Sequence, residues 1–132
     1  MKYLLDTHIL ICARLDQKKL TASHRAILKS ATEEKFISAI SVWEISLKYS
    51  IGKLELGDLT PDKFIAGIHK IGIKVMAPST EQYSSFYLLP TINKHKDPFD
   101  RMIIWHSIKS GLTLISSDKQ MSEYKIHGLH LA

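Results

Sequence analysis

Short apolar runs that stop at a polar residue, each followed by a segment with the 3.6-residue spacing of a helix, alternate along this chain and constrain its fold more than any other feature. Residues 2–5 form the first run and end at Asp6, and residues 9–15 continue with helical spacing. Thr21 is placed to cap a second helix reaching about residue 32. A second run, 35–39, leads into a helix opened by Ser41 that extends through Tyr49 and stops at Gly52. Thr60-Pro61 supplies a cap and a first helical residue for a segment reaching about residue 71. Residues 73–76 are a third run, ended by Ala77-Pro78, and 79–88 a further short helix. Asp97-Pro98 opens a longer helix that ends at Gly111, residues 112–116 are a fourth run with Asp118 in the loop beyond, and 128–131 a short edge strand.

Strands separated by helices favour a mainly parallel sheet, because each right-handed crossover lays a helix on one of its faces. The predicted class is therefore α/β, a three-layer α/β/α sandwich around a mainly parallel central sheet. The 132 residues show no repeat, low-complexity tract or linker, which predicts a single domain over 1–132. No apolar run approaches the ~20 residues that span a bilayer, and the N-terminal run is too short for a signal peptide. The single cysteine, Cys12, excludes an intramolecular disulfide and fits a reducing compartment as a small core residue. A cytoplasmic protein without a membrane partner is expected.

In such folds ligands bind beyond the carboxyl ends of the strands, so acids at that edge carry the functional argument. Asp6 ends the first strand and Asp118 follows the fourth. Glu44 lies at the start of the helix after the second strand, and Asp97 and Asp100 share the first turn of the helix entering the fourth. Packed together, these carboxylates would raise one another's pKa unless a cation compensated. Hard oxygen ligands suit Mg²⁺ or Mn²⁺, which bind through a few carboxylates and then take phosphate oxygens. The chemistry suggested is that of a metal-dependent nuclease.

Each acid also has a purely structural explanation. Ser41-Val42-Trp43-Glu44 matches a capping box, Asp97 before Pro98 is a good N-cap, Asp100 fits dipole compensation, and Asp118 suits a turn. Asp6, ending an apolar strand in a buried layer, is harder to dismiss. The net charge of +5 favours a polyanionic partner. Lys94-His95-Lys96 and Arg101 are placed either to hold phosphates or to form a solvated basic loop and a surface ion pair. Trp43 and Trp105 fit core or interface positions better than base stacking. The seven histidines lack zinc-ligand spacing, and no glycine-rich loop follows the first strand to cradle a nucleotide.

The chain resembles a PIN-domain ribonuclease, and more narrowly a toxin of the VapC family from bacterial type II toxin-antitoxin modules. The likeness is carried by Leu4-Leu5-Asp6-Thr7-His8, Ser38-Ala39-Ile40-Ser41-Val42-Trp43-Glu44-Ile45, Gly52-Lys53-Leu54 and Leu89-Pro90. It continues through His95-Lys96-Asp97-Pro98-Phe99-Asp100-Arg101 and Thr113-Leu114-Ile115-Ser116-Ser117-Asp118. It implies an acidic Mg²⁺ or Mn²⁺ site in which Asp6, Glu44, Asp100 and Asp118 are the metal-binding and catalytic residues. Asp97, Thr7 and Ser116 would stand behind them, Ser116 where the family more often has Thr, and Arg101, Lys94 and Lys96 would place the RNA backbone. Trp105 and His106 depart from the smaller or amide residues common at those positions. The resemblance further implies endonucleolytic RNA cleavage, a homodimer and a cognate antitoxin protein. Two rivals remain at this point: a non-catalytic nucleic-acid-binding module with a structural acidic cluster, and a receiver-like phospho-acceptor domain. The second needs adjacent acids after the first strand, where Asp6 stands alone.

Overall fold

A computed structural model describes residues 1–132. Five strands, β1 (Lys2–Leu5), β2 (Glu34–Ser38), β3 (Ile73–Met76), β4 (Thr113–Ile115) and β5 (His130–Leu131), make one sheet in the order β3-β2-β1-β4-β5. Every pairing is parallel, as the alternation predicts. Six α-helices connect them: α1 (Thr7–Leu15), α2 (Ala22–Lys29), α3 (Ala39–Ser50), α4 (Pro61–Ala66), α5 (Thr80–Ser84) and α6 (Pro98–Ser110), with short 3₁₀ turns between.

The period of two along the strands sorts side chains into two cores. Tyr3, Leu5, Ile37 and Ile115 point to one face, where they meet Ile9, Ile45 and Phe64 from α1, α3 and α4. Leu4 and Leu114 point to the other and meet Ile103 and Ile104 of α6 together with Tyr124. Each of these fully buried aliphatic side chains contributes roughly 1.5–3 kcal/mol by leaving water. Helices on both faces of a parallel sheet give the three-layer sandwich. No helix is long and apolar enough to cross a membrane.

β1 lies at the centre, with β2 on one side and β4 on the other, so the connections leave it in opposite directions. The carboxyl ends of β1 and β4 therefore flank a topological switch point, where the crossovers diverge and leave a crevice. Asp6 and the loop Ser116 to Asp118 occupy it.

Several element boundaries differ from expectation. Helix α3 starts at Ala39 with Ser38 as its cap, accepting from the Ile40 N–H at 3.2 Å, and not at Ser41. The sequence offers a hydroxyl at both positions, but Ser41 is fully buried inside the helix. Helix α2 stops at Lys29. The 60–71 segment divides into α4 and a 3₁₀ turn, Ile68–Ile71, before Gly72 turns left-handed at φ 77°. The 79–88 segment divides likewise, and α5 is opened by a capping box between Ser79 and Gln82 that sequence reading did not identify. Trp105 is buried and donates its indole N–H to the Gln82 carbonyl at 3.0 Å, whereas Trp43 is 60% exposed and only its ring edge meets Phe99. Cys12 is buried on α1.

Candidate active site

Three of the five acids owe their placement to backbone capping. Asp6 leaves β1 with its N–H donated to the Ile115 carbonyl of β4 at 3.0 Å, and its Oδ1 accepts from the Ile9 N–H at 2.8 Å, capping α1. Asp97 Oδ1 accepts from Phe99 and Asp100 at 2.9 and 3.2 Å, capping α6 with Pro98 behind it. Asp118 accepts from the Gln120 N–H at 2.9 Å, and its own N–H is held by Ser116 Oγ at 3.1 Å. A cap places a carboxylate at the positive end of a helix and fixes its direction with respect to the backbone.

Glu44 is held differently. Because α3 begins at Ala39, Glu44 sits in the second turn and is no part of a capping box; the structural explanation for it falls with the shifted helix start. It is 3% exposed. Thr7 donates its hydroxyl to Glu44 Oε1 at 2.6 Å, and the same oxygen of Thr7 lies 2.9 Å from Ser41 Oγ. Lys48, one turn along α3, donates to Glu44 Oε2. Thr7 thus stands behind Glu44 as expected, and Lys48, which the sequence analysis passed over, completes its bonding.

All five acids line one cleft of about 420 Å³, together with Thr7, Lys48 and Lys53. Two of the acids, Asp6 and Asp100, have their carboxyl groups shifted upward, first by burial and then by neighbouring charge. Burial raises the pKa of Asp6; the Ser116 hydroxyl, the Ile9 N–H and the charge of His8 oppose it, and Glu44 adds to it. Burial, then the charges of Asp97 and Glu44, push Asp100 up to about 6, against the pull of His95. Burial works against the ammonium of Lys48, but the hydrogen bond and charge of Glu44 outweigh it, with Asp97 and Asp100 adding, so its pKa is raised.

His95, read in the sequence as part of a phosphate-holding or solvated basic loop, is instead turned inward. Its ring is buried, with Nδ1 at 2.9 Å from the Tyr124 hydroxyl and Nε2 at 3.5 Å from Asp100 Oδ2, beyond an ordinary hydrogen bond. Nε2 has no other partner. Tyr124 is also fully buried, and its O–H needs an acceptor, which Nδ1 supplies. The imidazole proton then resides on Nε2 and faces Asp100. His95 Nε2, Asp100 and Asp118 come within 4.8 Å of one another, but with that tautomer the histidine offers them a donor rather than a lone pair. The carboxylate oxygens clear of backbone donors and of Thr7 and Lys48 belong to Asp6, Asp97, Asp100 and Asp118, hard donors of the kind a divalent ion takes.

The basic residues do not converge. The Arg101 guanidinium donates to the Leu89 and Pro90 carbonyls at 2.8 and 3.4 Å and lies over the Phe86 ring, which ties the loop before α6 to the helix. Lys94 and Lys96 are exposed on that loop, where Asn93 and Lys94 have φ of 47° and 60°. None of the three lines the cleft. The lysines that do, Lys48 and Lys53, carried one usable signal: Lys48 follows Glu44 by four residues on a predicted helix.

The family model described as "PIN domain" matches residues 3–126. Chains of three solved complexes share the fold. The VapBC2 complex of Rickettsia felis bound to a promoter DNA fragment aligns with TM-score 0.69 at 18% identity, over 100% of this chain and 98% of that one. DNA-bound VapBC of Salmonella typhimurium aligns with TM-score 0.65 at 20% identity, over 100% and 97%. VapBC-1 of nontypeable Haemophilus influenzae aligns with TM-score 0.62 at 19% identity, again over 100% and 97%. No curated protein matches the chain.

Proposed function

The chain belongs to the PIN-domain family, and from that premise we propose that it is a divalent-metal-dependent endoribonuclease acting as the toxin of a toxin-antitoxin pair. The observation that carries the reading is the convergence of Asp6, Glu44, Asp97, Asp100 and Asp118, from distant parts of the chain, on one cleft at the switch point of the sheet. Mg²⁺ or Mn²⁺ would be held by Asp6, Asp100 and Asp118, with Glu44 beside them. When bound, such an ion supplies Lewis acidity toward a phosphoryl oxygen and makes water a nucleophile near neutral pH.

The chain's own residues prepare that chemistry. Capping fixes Asp6 and Asp118 on two adjacent strand ends, so their separation is set by the sheet and not by flexible side chains. Thr7 and Ser116 hold Glu44 and Asp6, and Asp97 caps α6 so that Asp100 is presented from its first turn. His95, held by Tyr124 through Nδ1, stands with Nε2 3.5 Å from Asp100 Oδ2. Lys94 and Lys96, exposed on the loop before α6, would meet the RNA backbone outside the cleft. The domain, spanning 1–132, would act as a homodimer and be neutralised by a cognate antitoxin; the likeness to chains of VapBC complexes and of a toxin-antitoxin complex from Klebsiella pneumoniae supports the antitoxin partner.

The test is cleavage of a fluorescent RNA pool by the purified protein and by Asp100→Asn, each with Mg²⁺, Mn²⁺ or EDTA. Cutting by wild type alone, abolished by EDTA, is the expected result. Equal activity of Asp100→Asn would remove the assignment, and metal-independent RNA binding without cleavage would replace it with a binding module.

A further inference from the structure

We propose that Lys48 is a catalytic residue and the resident cation of this cleft: its ammonium takes the place of a second divalent ion at the Glu44 end and contacts a non-bridging oxygen of the scissile phosphodiester. The inference rests on the nuclease reading and specifies how many ions it uses.

The argument begins with which carboxylate oxygens are already engaged. Glu44 has a donor on each oxygen, Thr7 on Oε1 and Lys48 on Oε2. Asp97 has Oδ1 engaged by two backbone N–H groups that α6 cannot release without fraying. Glu44 itself therefore offers no oxygen free of a donor to a second hard ion. Asp6, Asp97 and Asp118 each have one oxygen on backbone N–H groups and the other clear of them, and Asp100 meets only the distant His95.

Lys48 fills the vacancy in charge. The i,i+4 spacing on α3 brings its Nζ to Glu44 from within the same helix, so the position costs no long-range rearrangement. Its Nζ stands 5.9 Å from the Phe99 ring centroid, on the side where α6 delivers Asp97 and Asp100. The side chain is 39% exposed and lines the cleft, so a phosphate entering it reaches the ammonium. In two-ion phosphodiesterases a pair of cations clamps the attacking and leaving oxygens. Here one divalent ion and one ammonium provide the two positive centres, with the ammonium donating charge-assisted hydrogen bonds to the phosphoryl group.

Mn²⁺ binding counted by electron paramagnetic resonance and calorimetry on the full chain tests this, with RNA cleavage measured in parallel. Wild type is expected to take up one ion per chain. Lys48→Met, which keeps the aliphatic stem, is expected to admit a second ion and to lose about a hundredfold in kcat, as for loss of one transition-state donor. Lys48→Arg, which keeps the charge, should remain at one ion and recover most of the rate. Two ions in wild type would overturn the inference while leaving the nuclease reading intact, as would a Lys48→Met protein with wild-type kcat. Absence of any bound ion in folded wild type would instead overturn the metal-dependent reading, and this inference with it.

Discussion

The two walls of the cleft carry the same functional group in opposite states. On the α3 wall Glu44 is buried, and the fold supplies a donor to each of its oxygens. On the α6 wall Asp100 has its nearest donor at 3.5 Å, and burial first, then the charges of Asp97 and Glu44, push its pKa up to about 6. A carboxylate whose partners are built in is fixed before anything binds. One whose neighbours are mostly anionic is held in readiness for a cation. The same functional group is thus given orientation on one wall and cation demand on the other, by burial and partners.

The comparison breaks most severely if the α3 wall is emptied. Glu44→Ala leaves the Lys48 ammonium without its partner and the Thr7 hydroxyl without its acceptor, and cleavage is expected to fall by about a hundredfold or more. Retention of more than a tenth of the rate, in a turnover assay with saturating metal, would place Glu44 outside the chemistry. Thr7→Val removes only the donor to Oε1. A buried carboxylate oxygen deprived of its donor costs about 1–3 kcal/mol, measurable by urea unfolding, and a change below about 0.5 kcal/mol would mean that the contact is not a constraint.

The α6 wall is predicted to respond to pH with the sign of a strained acid. The Asp100 carboxyl has its pKa moved from 3.8 to about 6 by folding, so between these values the folded state keeps a proton that the unfolded chain has released. Stability of the metal-free protein therefore falls as pH rises from about 4 through 6, with Asp6 contributing in the same direction. Thermal melts across that window should show the loss in wild type and a flatter profile in Asp100→Asn. Identical slopes in the two proteins would remove Asp100 as its source. The smallest effect separates capping from coordination at Asp97. Asp97→Ala is expected to cost about 1 kcal/mol, and Asp97→Asn, which still caps, to cost nearly nothing. If Asp97→Asn nonetheless abolishes cleavage, Asp97 touches the ion or the substrate.

Most of the scaffold was legible because it depends on local patterns. The apolar run closed by Asp6, the Asp97-Pro98 start of α6 and the Thr60-Pro61 start of α4 stand where expected, although Asp6 also caps α1, which begins at Thr7, and Thr60 makes no side-chain cap bond. The start of α3 was misplaced because Ser38 and Ser41 are equivalent to any local rule. Only the burial of Ser41 against Thr7 and the contact of Ser38 Oγ with His106 Nδ1 at 2.9 Å separate them, and both partners lie on other elements. The same limit hid Lys48 and His95. One lysine on a basic chain and one histidine among seven have no periodicity, and their significance comes from Glu44 in one case and from Tyr124 and Asp100 in the other. Arg101 shows the same limit from the other side: beside an acid its guanidinium reads as a phosphate binder or a surface ion pair, and in the fold it donates to the Leu89 carbonyl.

The order of the strands also sets when the cleft comes into being during synthesis. β1 delivers Asp6 early, but its neighbour β4, which brings Ser116 and Asp118, is translated only after β2, β3 and all six helices. A nascent chain that has made α3 and α6 still lacks the strand that closes the switch point, since parallel pairing between such distant segments waits for both. A translation product that stops short of β4 therefore has no assembled acidic cleft.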